Sequence, residues 1–339
     1  MSKLTNRWLA LYVLCLGVLM IVLDSTIVTV ALPTIQADLG MSGSALVWVL
    51  NAYMLTFGGF LLLGGRLGDL YGNRRLFLLG LILFTAASLA CGLSRAPVWL
   101  VAARAVQGLG GAVVTAMALA LIMNLFPEPG ERARAMGVYG FICSAGGSLG
   151  SLLGGFITGA LNWHWVFLVN LPIGVAVYAL SKRLLPRDAG AVRGQRLDVA
   201  GALTVTGALM LAVYAVVDGN RAGWGSAQTL SLLGAAALLL AVFLAIESRV
   251  RDPLVPLRLF RVRSVAVANV VGAAWAAGMF AWFVISALYL QKVLGYTPLQ
   301  VGLAFVPADL IMAAFSVSLS AKVVGRYGIR GPLWIGLLL

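Results

Sequence analysis

Charge is scarce in this chain. Only 10% of its 339 residues are charged, against 61% hydrophobic, whereas a soluble domain is about a quarter charged and about half apolar. Too little polar surface remains to cover a water-facing globule, so the composition excludes a soluble fold and implies a membrane protein. Histidine is nearly absent: His164 stands alone between Trp163 and Trp165, a setting that fits an interfacial aromatic belt. The 3 cysteines, Cys15, Cys91 and Cys143, lie in apolar runs without CxxC or Cys/His spacing, so neither a disulfide framework nor a metal site is indicated, and no cofactor is expected. The chain has no Ser/His/Asp set and no paired catalytic carboxylates, so it is not expected to be an enzyme. It also has no GxxxxGK[ST] loop, so any pumping should draw on an ion gradient.

Long apolar runs are what the chain does have. A helical span needs about 20 predominantly apolar residues, and such runs recur at 8–32, 44–64, 76–94, 98–125, 135–160, 163–181, 199–217, 229–247, 265–290 and 299–320. The expected fold is all-α, a polytopic helical bundle with ten complete spans and the start of an eleventh near Ile329. The alternation of apolar and polar residues in segments of about 10 that marks a transmembrane barrel is missing.

The net charge of +13 is explained by where it falls. With the N-terminus inside, the cytoplasmic segments collect Lys3, Arg7, Arg66, Arg74, Arg75, Arg132, Arg134, Lys182, Arg183, Arg187, Arg193, Arg196, Arg249, Arg251, Arg258, Arg261, Arg263, Lys322, Arg326 and Arg330, while the other side receives Arg95, Arg221 and Lys292. This is the positive-inside bias. It accounts for the basic chain through topology, and no nucleic-acid partner is expected.

A weak repeat divides the chain. Tyr71-Gly72-x-Arg74 recurs as Tyr327-Gly328-x-Arg330, with Gly80 answered by Gly336, each in a short cytoplasmic turn between two spans. Two homologous bundles are the expectation, as in transporters built from repeats. That gives a six-helix N-terminal bundle over 1–185, a two-helix linker insert with cytoplasmic loops over 186–263, and an incomplete C-terminal bundle over 264–339.

Several motifs carry a family resemblance: "LDSTIVTVALP" at 23–33, "GGRLGDLYGNRR" at 64–75, "RAVQGLGGA" at 104–112, "GGSLGSLLGGFI" at 146–157 and "NWHWVFLVNLPIG" at 162–174. With "GWG" at 223–225 and "DPLVPLRLFR" at 252–261, the chain resembles the fourteen-helix drug:proton antiporter branch of the major facilitator superfamily, without its last spans. The resemblance implies a proton-coupled exporter of amphipathic or cationic organic compounds, working by alternating access in a bacterial-type inner membrane. Its partners would be small-molecule substrates, protons, the bilayer, and a missing C-terminal segment or an accessory export protein. A non-transporting remnant or assembly partner, and a proton-coupled importer, stay open as alternatives.

The residues themselves suggest roles. In the 64–75 motif Gly65, Gly68 and Gly72 allow a tight turn between helix ends, and Asp69 can accept hydrogen bonds from its Arg-rich surroundings. The resemblance makes Asp69, Arg74 and Arg75 gating candidates. Gly146, Gly150 and Gly154, flanked by Gly147, Ser151 and Gly155, permit close helix approach, either as ordinary membrane packing or, as the resemblance implies, as the antiport motif whose face seals the two bundles. Ser151 stands where the family usually has proline, so the kink that a proline would bring is not expected. Asp24 interrupts the first apolar run about 12 Å below its outer end, and Arg104 lies about 9 Å into the fourth span at a matching level. An isolated charge at mid-span costs about 2.5–3.5 kcal/mol, which pairing or a wet cavity would relieve. The resemblance makes Asp24 the candidate proton carrier, with Arg104 modulating it and Gln107 on the same helical face. A buried pair that only orients two helices is the competing reading. Asp309, near mid-depth in "VPADLIM", is a second candidate acid. Trp48, Tyr53, Phe57 and Tyr139, with Gln107, are candidate lining of an apolar substrate cavity.

Overall fold

The computed structural model describes residues 2–186, 198–250, 253–315, 323, 326–328 and 330–338. Arg187, Arg193, Arg196, Arg251 and Lys322 of the cytoplasmic basic set lie outside the described residues, as do the side chains of Ser151, Asp309 and Arg330. Every regular element among the described residues is helical. In chain order these are α1 (Ser2–Leu39), α2 (Gly43–Tyr71), α3 (Asn73–Gly92), α4 (Pro97–Leu125), α5 (Pro129–Ala160), α6 (Trp165–Leu168), α7 (Asn170–Leu184), α8 (Val199–Ala222), α9 (Ala227–Glu247), a 3-10 turn (Leu257–Arg261), α10 (Arg263–Lys292), α11 (Pro298–Ala314) and α12 (Arg330–Leu338).

By length and composition 7 of the described helical stretches can cross a bilayer, or 8 if the bent α5 is one span, fewer than the ten spans read from the sequence. The read spans 265–290 and 299–320 correspond to α10 and to α11, which is described as far as Ala314. The first span is longer than its apolar run, because α1 continues through Pro33 to Leu39. A proline removes one backbone hydrogen bond, and packed membrane helices tolerate that loss.

Local signals set the helix boundaries. Pro97, Pro129 and Pro298 open α4, α5 and α11, where a missing N–H costs nothing. Asp198 and Ser226 cap α8 and α9 by accepting from Gly201 and Thr229, and Thr297 with Gln300 forms a capping box on α11. Gly72 alone joins α2 to α3 at φ 98°, a conformation that favours glycine. Its counterpart in the repeat, Gly328, also has positive φ, 69°.

The first seven helices pack together. α2 and α3 both lie along α4, α1 lies along α5, and α7 closes against α1 and α3. α4 comes close because it lacks side chains at the crossings: a Cβ on Gly110 would sit 2.7 Å from the Phe84 amide nitrogen. The glycine ladder of α5 serves the same purpose against α1, with Gly146 over Val22 and Gly154 over Ile27 and Val30. Gly155, on the neighbouring stripe, has open space. The expectation of an unkinked α5 is not met: Pro129–Gly147 and Leu152–Ala160 meet at 41°. The bend falls at Gly147-Ser148 and Gly150-Ser151, and Gly/Ser pairs bend helices without proline. Beyond α7, α8 packs on α2 and α9, and α11 lies along α5. Thr206 of α8 donates to the Gly59 carbonyl at 3.1 Å.

Two apolar clusters fill the core of the first seven helices. One gathers Leu11, Leu14, Phe77, Phe84, Met117, Ile122 and Phe126 and reaches Ile21. The other begins at Leu23 and gathers Ile27, Ile35, Val49, Leu100, Trp163 and Phe167. Asp24 follows Leu23 directly, close to where the two clusters divide along α1.

Candidate functional site: a buried carboxylate and guanidinium

Asp24 and Arg104 meet as an ion pair through Asp24 Oδ2 and Arg104 Nη1, and both side chains are fully buried, at 0% exposure. α1 and α4 supply the two charges, and Gln107 of α4 with residues of α2, α3, α6 and α7 supplies what surrounds them. Asp24 Oδ1 accepts from Gln107 Nε2 and from Asn170 Nδ2 of α7, each at 2.8 Å. Both amides also donate to Ser88 Oγ of α3, at 2.8 and 3.4 Å, and the Ser88 hydroxyl donates to the Phe84 carbonyl at 2.9 Å. Two charges taken out of water are costly unless their remaining hydrogen-bonding sites are filled, and these neutral donors fill the carboxylate's.

Arg104 has its own set of acceptors. Nε donates to the Val49 carbonyl of α2 at 2.9 Å, and Nη1 donates to Gln107 Oε1 at 2.7 Å. Its guanidinium carbon stands 4.2 Å from the Tyr53 ring centroid and 5.8 Å from that of Phe167, within range of cation–π attraction. Nη2 finds no acceptor among the described residues, and neither does the buried Tyr53 hydroxyl. Cys91 donates weakly to Gln107 Oε1 at 3.7 Å.

The sequence-derived candidates thus separate into groups. Asp24, Arg104, Gln107 and Tyr53 come together, and Phe57 stacks on Tyr53 at 5.8 Å. Trp48 lies elsewhere, its ring 5.4 Å from Tyr214 of α8. Tyr139 is partly buried against the cluster that holds Leu11, Phe77 and Phe126. In the 64–75 motif Asp69 is 61% exposed and stands 4.0 Å from Arg66 on its own helix. Arg74 donates to the Lys182 carbonyl of α7 at 2.7 Å, tying the α2–α3 turn to the end of the bundle. Gly68 lies against Met117 and Asn73, whereas Gly65 faces open space. Asp309 is carried on α11. No group of acids, histidines and cysteines suited to a metal is found among the described residues.

Seven transmembrane-length helices, glycine-mediated crossings and a charged pair sealed among the first helices describe a polytopic membrane bundle. The sequence profile of the Major Facilitator Superfamily matches residues 14–339. The chain belongs to that superfamily. This facilitator is 42% identical over 334 residues to the puromycin resistance protein of Streptomyces alboniger, covering 98% of this chain and 66% of the relative. It is 41% identical over 314 residues to the cephamycin export protein of Amycolatopsis lactamdurans, covering 92% of this chain and 64% of the relative. With the tetracenomycin C resistance and export protein of Streptomyces glaucescens it shares 35% identity, covering 100% of this chain and 63% of the relative. The chain thus spans a little under two thirds of the length of these curated relatives. Among solved structures, a proton:xylose symporter matches with a TM-score of 0.64 at 14% identity, covering 97% of this chain and 71% of that one. A human organic anion transporter matches with a TM-score of 0.60 at 17% identity, covering 98% and 82%. Those two likenesses concern the fold.

Sequence reasoning missed two members of the facilitator's buried cluster, Ser88 and Asn170. A serine in an apolar helix usually bonds its own backbone, as Ser88 does to Phe84, so it gave no signal. Asn170 was detectable as an amide inside an apolar run just before Pro172.

Proposed function

We propose that this chain acts in proton-coupled export of amphipathic or cationic organic compounds, as a member of the fourteen-helix drug:proton antiporter branch. It would work in a bacterial inner membrane with its N-terminus in the cytoplasm. Residues 1–185 form the first bundle, 186–263 the linker insert and 264–339 part of the second bundle. Asp24 is the proton carrier. The observation that carries this reading is the way Arg104 is held: the Val49 carbonyl, Gln107 Oε1 and the Tyr53 ring are neutral partners. The cation therefore keeps its place when Asp24 is neutral, which a cycle of protonation requires. Tyr53, Phe57 and Gln107 are the part of the cavity wall nearest the carrier, and the 64–75 motif gates. The export and resistance functions named for the relatives support the direction of transport and the substrate class.

A second reading has its own observation. Asp24 is wholly buried and accepts three donors, as a purely structural tie between helices would. Asp24→Asn separates the two, because asparagine keeps the size and hydrogen bonds but carries no proton. In the full-length protein reconstituted in liposomes, Asp24→Asn should insert and bind ethidium but fail to drive its efflux against a gradient. Uphill ethidium efflux at the wild-type rate by well-folded Asp24→Asn would leave only the tie, and would turn attention to Asp309.

A further inference from the structure

We propose that Asn170, steadied by Ser88, sets the proton affinity of Asp24 and links it to the position of α7. The inference rests on Asp24 being the proton carrier. Asn170 and Ser88 are positioning residues here: they act through the carboxylate.

The three donors to Asp24 are held in different ways. Arg104 and Gln107 share α4, bond each other at 2.7 Å, and are fixed further by the Val49 carbonyl and the Cys91 thiol. They come and go together, with α4. Asn170 is independent of that lock. It is the first residue of α7, and a single residue, Val169, separates it from the short α6. A small rotation of α7 at this interruption removes one donor from Asp24 Oδ1 and leaves the α4 pair intact. Ser88 is the stop against which the Asn170 amide rests, since its Oγ accepts from Asn170 at 3.4 Å and from Gln107 at 2.8 Å, and its own proton is committed to the Phe84 carbonyl. Asn170 is 1% exposed and Ser88 0%, so water does not replace either bond while the cluster is closed.

The chemistry follows from which form of the acid each donor prefers. An N–H aimed at a carboxylate favours the charged form, and its withdrawal favours the neutral form. With Asn170 docked, Asp24 holds its charge; with α7 displaced, a proton from the aqueous phase binds Asp24 Oδ1 and the carboxylate becomes a carboxylic acid. Among the described residues, the other charged or titratable groups facing Asp24 are Arg104 of α4, Tyr53 of α2 and Cys91 of α3. α5 meets α1 here through Gly146, Gly150 and Gly154, which do not titrate. α7 supplies no charge at this site, so the Asn170 amide is its only lever on Asp24 there.

The test is the pH dependence of ethidium efflux by the reconstituted full-length protein. Asn170→Ala should move the midpoint upward by about one pH unit, the equivalent of one hydrogen bond to a charged group. Ser88→Ala should move it less in the same direction, and Asn170→Ser, which can still donate, should recover part of the shift. If Asn170→Ala folds poorly, the infrared C=O band of protonated Asp24 is followed with pH in purified Ser88→Ala and Asn170→Ser, and an upward midpoint supports the proposal. Unmoved midpoints in folded variants, while Asp24→Asn still abolishes uphill efflux, overturn the role of Asn170 and leave the carrier standing. Uphill efflux by Asp24→Asn with the wild-type pH profile overturns both.

Discussion

α4 and α9 show opposite uses of a membrane helix. α9 is the more apolar of the two, yet only 17% of its span is buried, whereas 56% of the α4 span is buried although it contains Arg104 and Gln107. In water the ranking would be reversed. In a bilayer the lipid is as apolar as leucine, so helices associate through close packing and polar ties rather than through hydrophobic transfer. α4 buries Arg104, Gln107, Gly108, Gly110 and Gly111, residues that let backbones touch or that bond across helices. α9 buries Thr229, Ala236, Phe243 and Glu247, and Leu230, Leu238, Leu240 and Leu244 are exposed. Its one buried acid sits at the helix end, where Glu247 Oε1 accepts the Leu254 and Val255 amides at 3.0 and 3.4 Å. What distinguishes the buried helix is thus the polar and small residues that α4 places inside beside its apolar ones.

The largest predicted effect breaks the polar tie. Arg104→Ala leaves Asp24 buried without its counter-charge, which costs about 3–5 kcal/mol, so the yield of monodisperse protein in detergent should collapse. Whatever folds should transport with its pH dependence moved upward, because a positive charge near Asp24 is gone. Arg221→Ala makes the contrast: that side chain is 66% exposed and its partner Asp218, though 7% exposed, still accepts from Gln228, so the loss of Arg221 should lower thermal stability clearly less than that of Arg104. The next effect breaks the close packing. Gly110→Leu must push against the Phe84 backbone, where even a Cβ would come within 2.7 Å, and should cost about 1–3 kcal/mol. Gly234→Leu on α9, with nothing within 4 Å, should be silent in the same melting assay.

Much of this contrast could be read from the residues. The apolar runs located the helices, and their lengths failed mainly at the ends, where α1 runs through Pro33. Depth arithmetic placed Asp24 and Arg104 at one level because helical rise is constant. It could not say that Asn170 and Ser88 complete the cluster, since which faces meet depends on crossings made by glycines on other helices. Trp48 shows the same limit: an aromatic in a span fits a cavity wall and a helix contact equally, and here it packs on Tyr214. The α5 bend has no proline to mark it; its sequence signal is the weaker one of the Gly/Ser pairs at 147–148 and 150–151.

Smaller effects sharpen the comparison at the helix ends. Asp69→Asn alters an exposed residue loosely paired with Arg66, so ethidium affinity should stay within a few-fold while turnover falls; unchanged transport would reduce the motif to a turn. Ser151→Pro should matter least, because α5 already bends there. Normal expression and efflux are expected, and misfolding or a switch to uptake would contradict the assignment of α5.

The most direct test of the central claim is proton release by the purified full-length protein when ethidium is added in weakly buffered solution, followed with a pH indicator. If Asp24 carries the proton, wild type should acidify the medium on binding, and Asp24→Asn should bind ethidium with no acidification. Equal proton release by the two proteins would contradict the account.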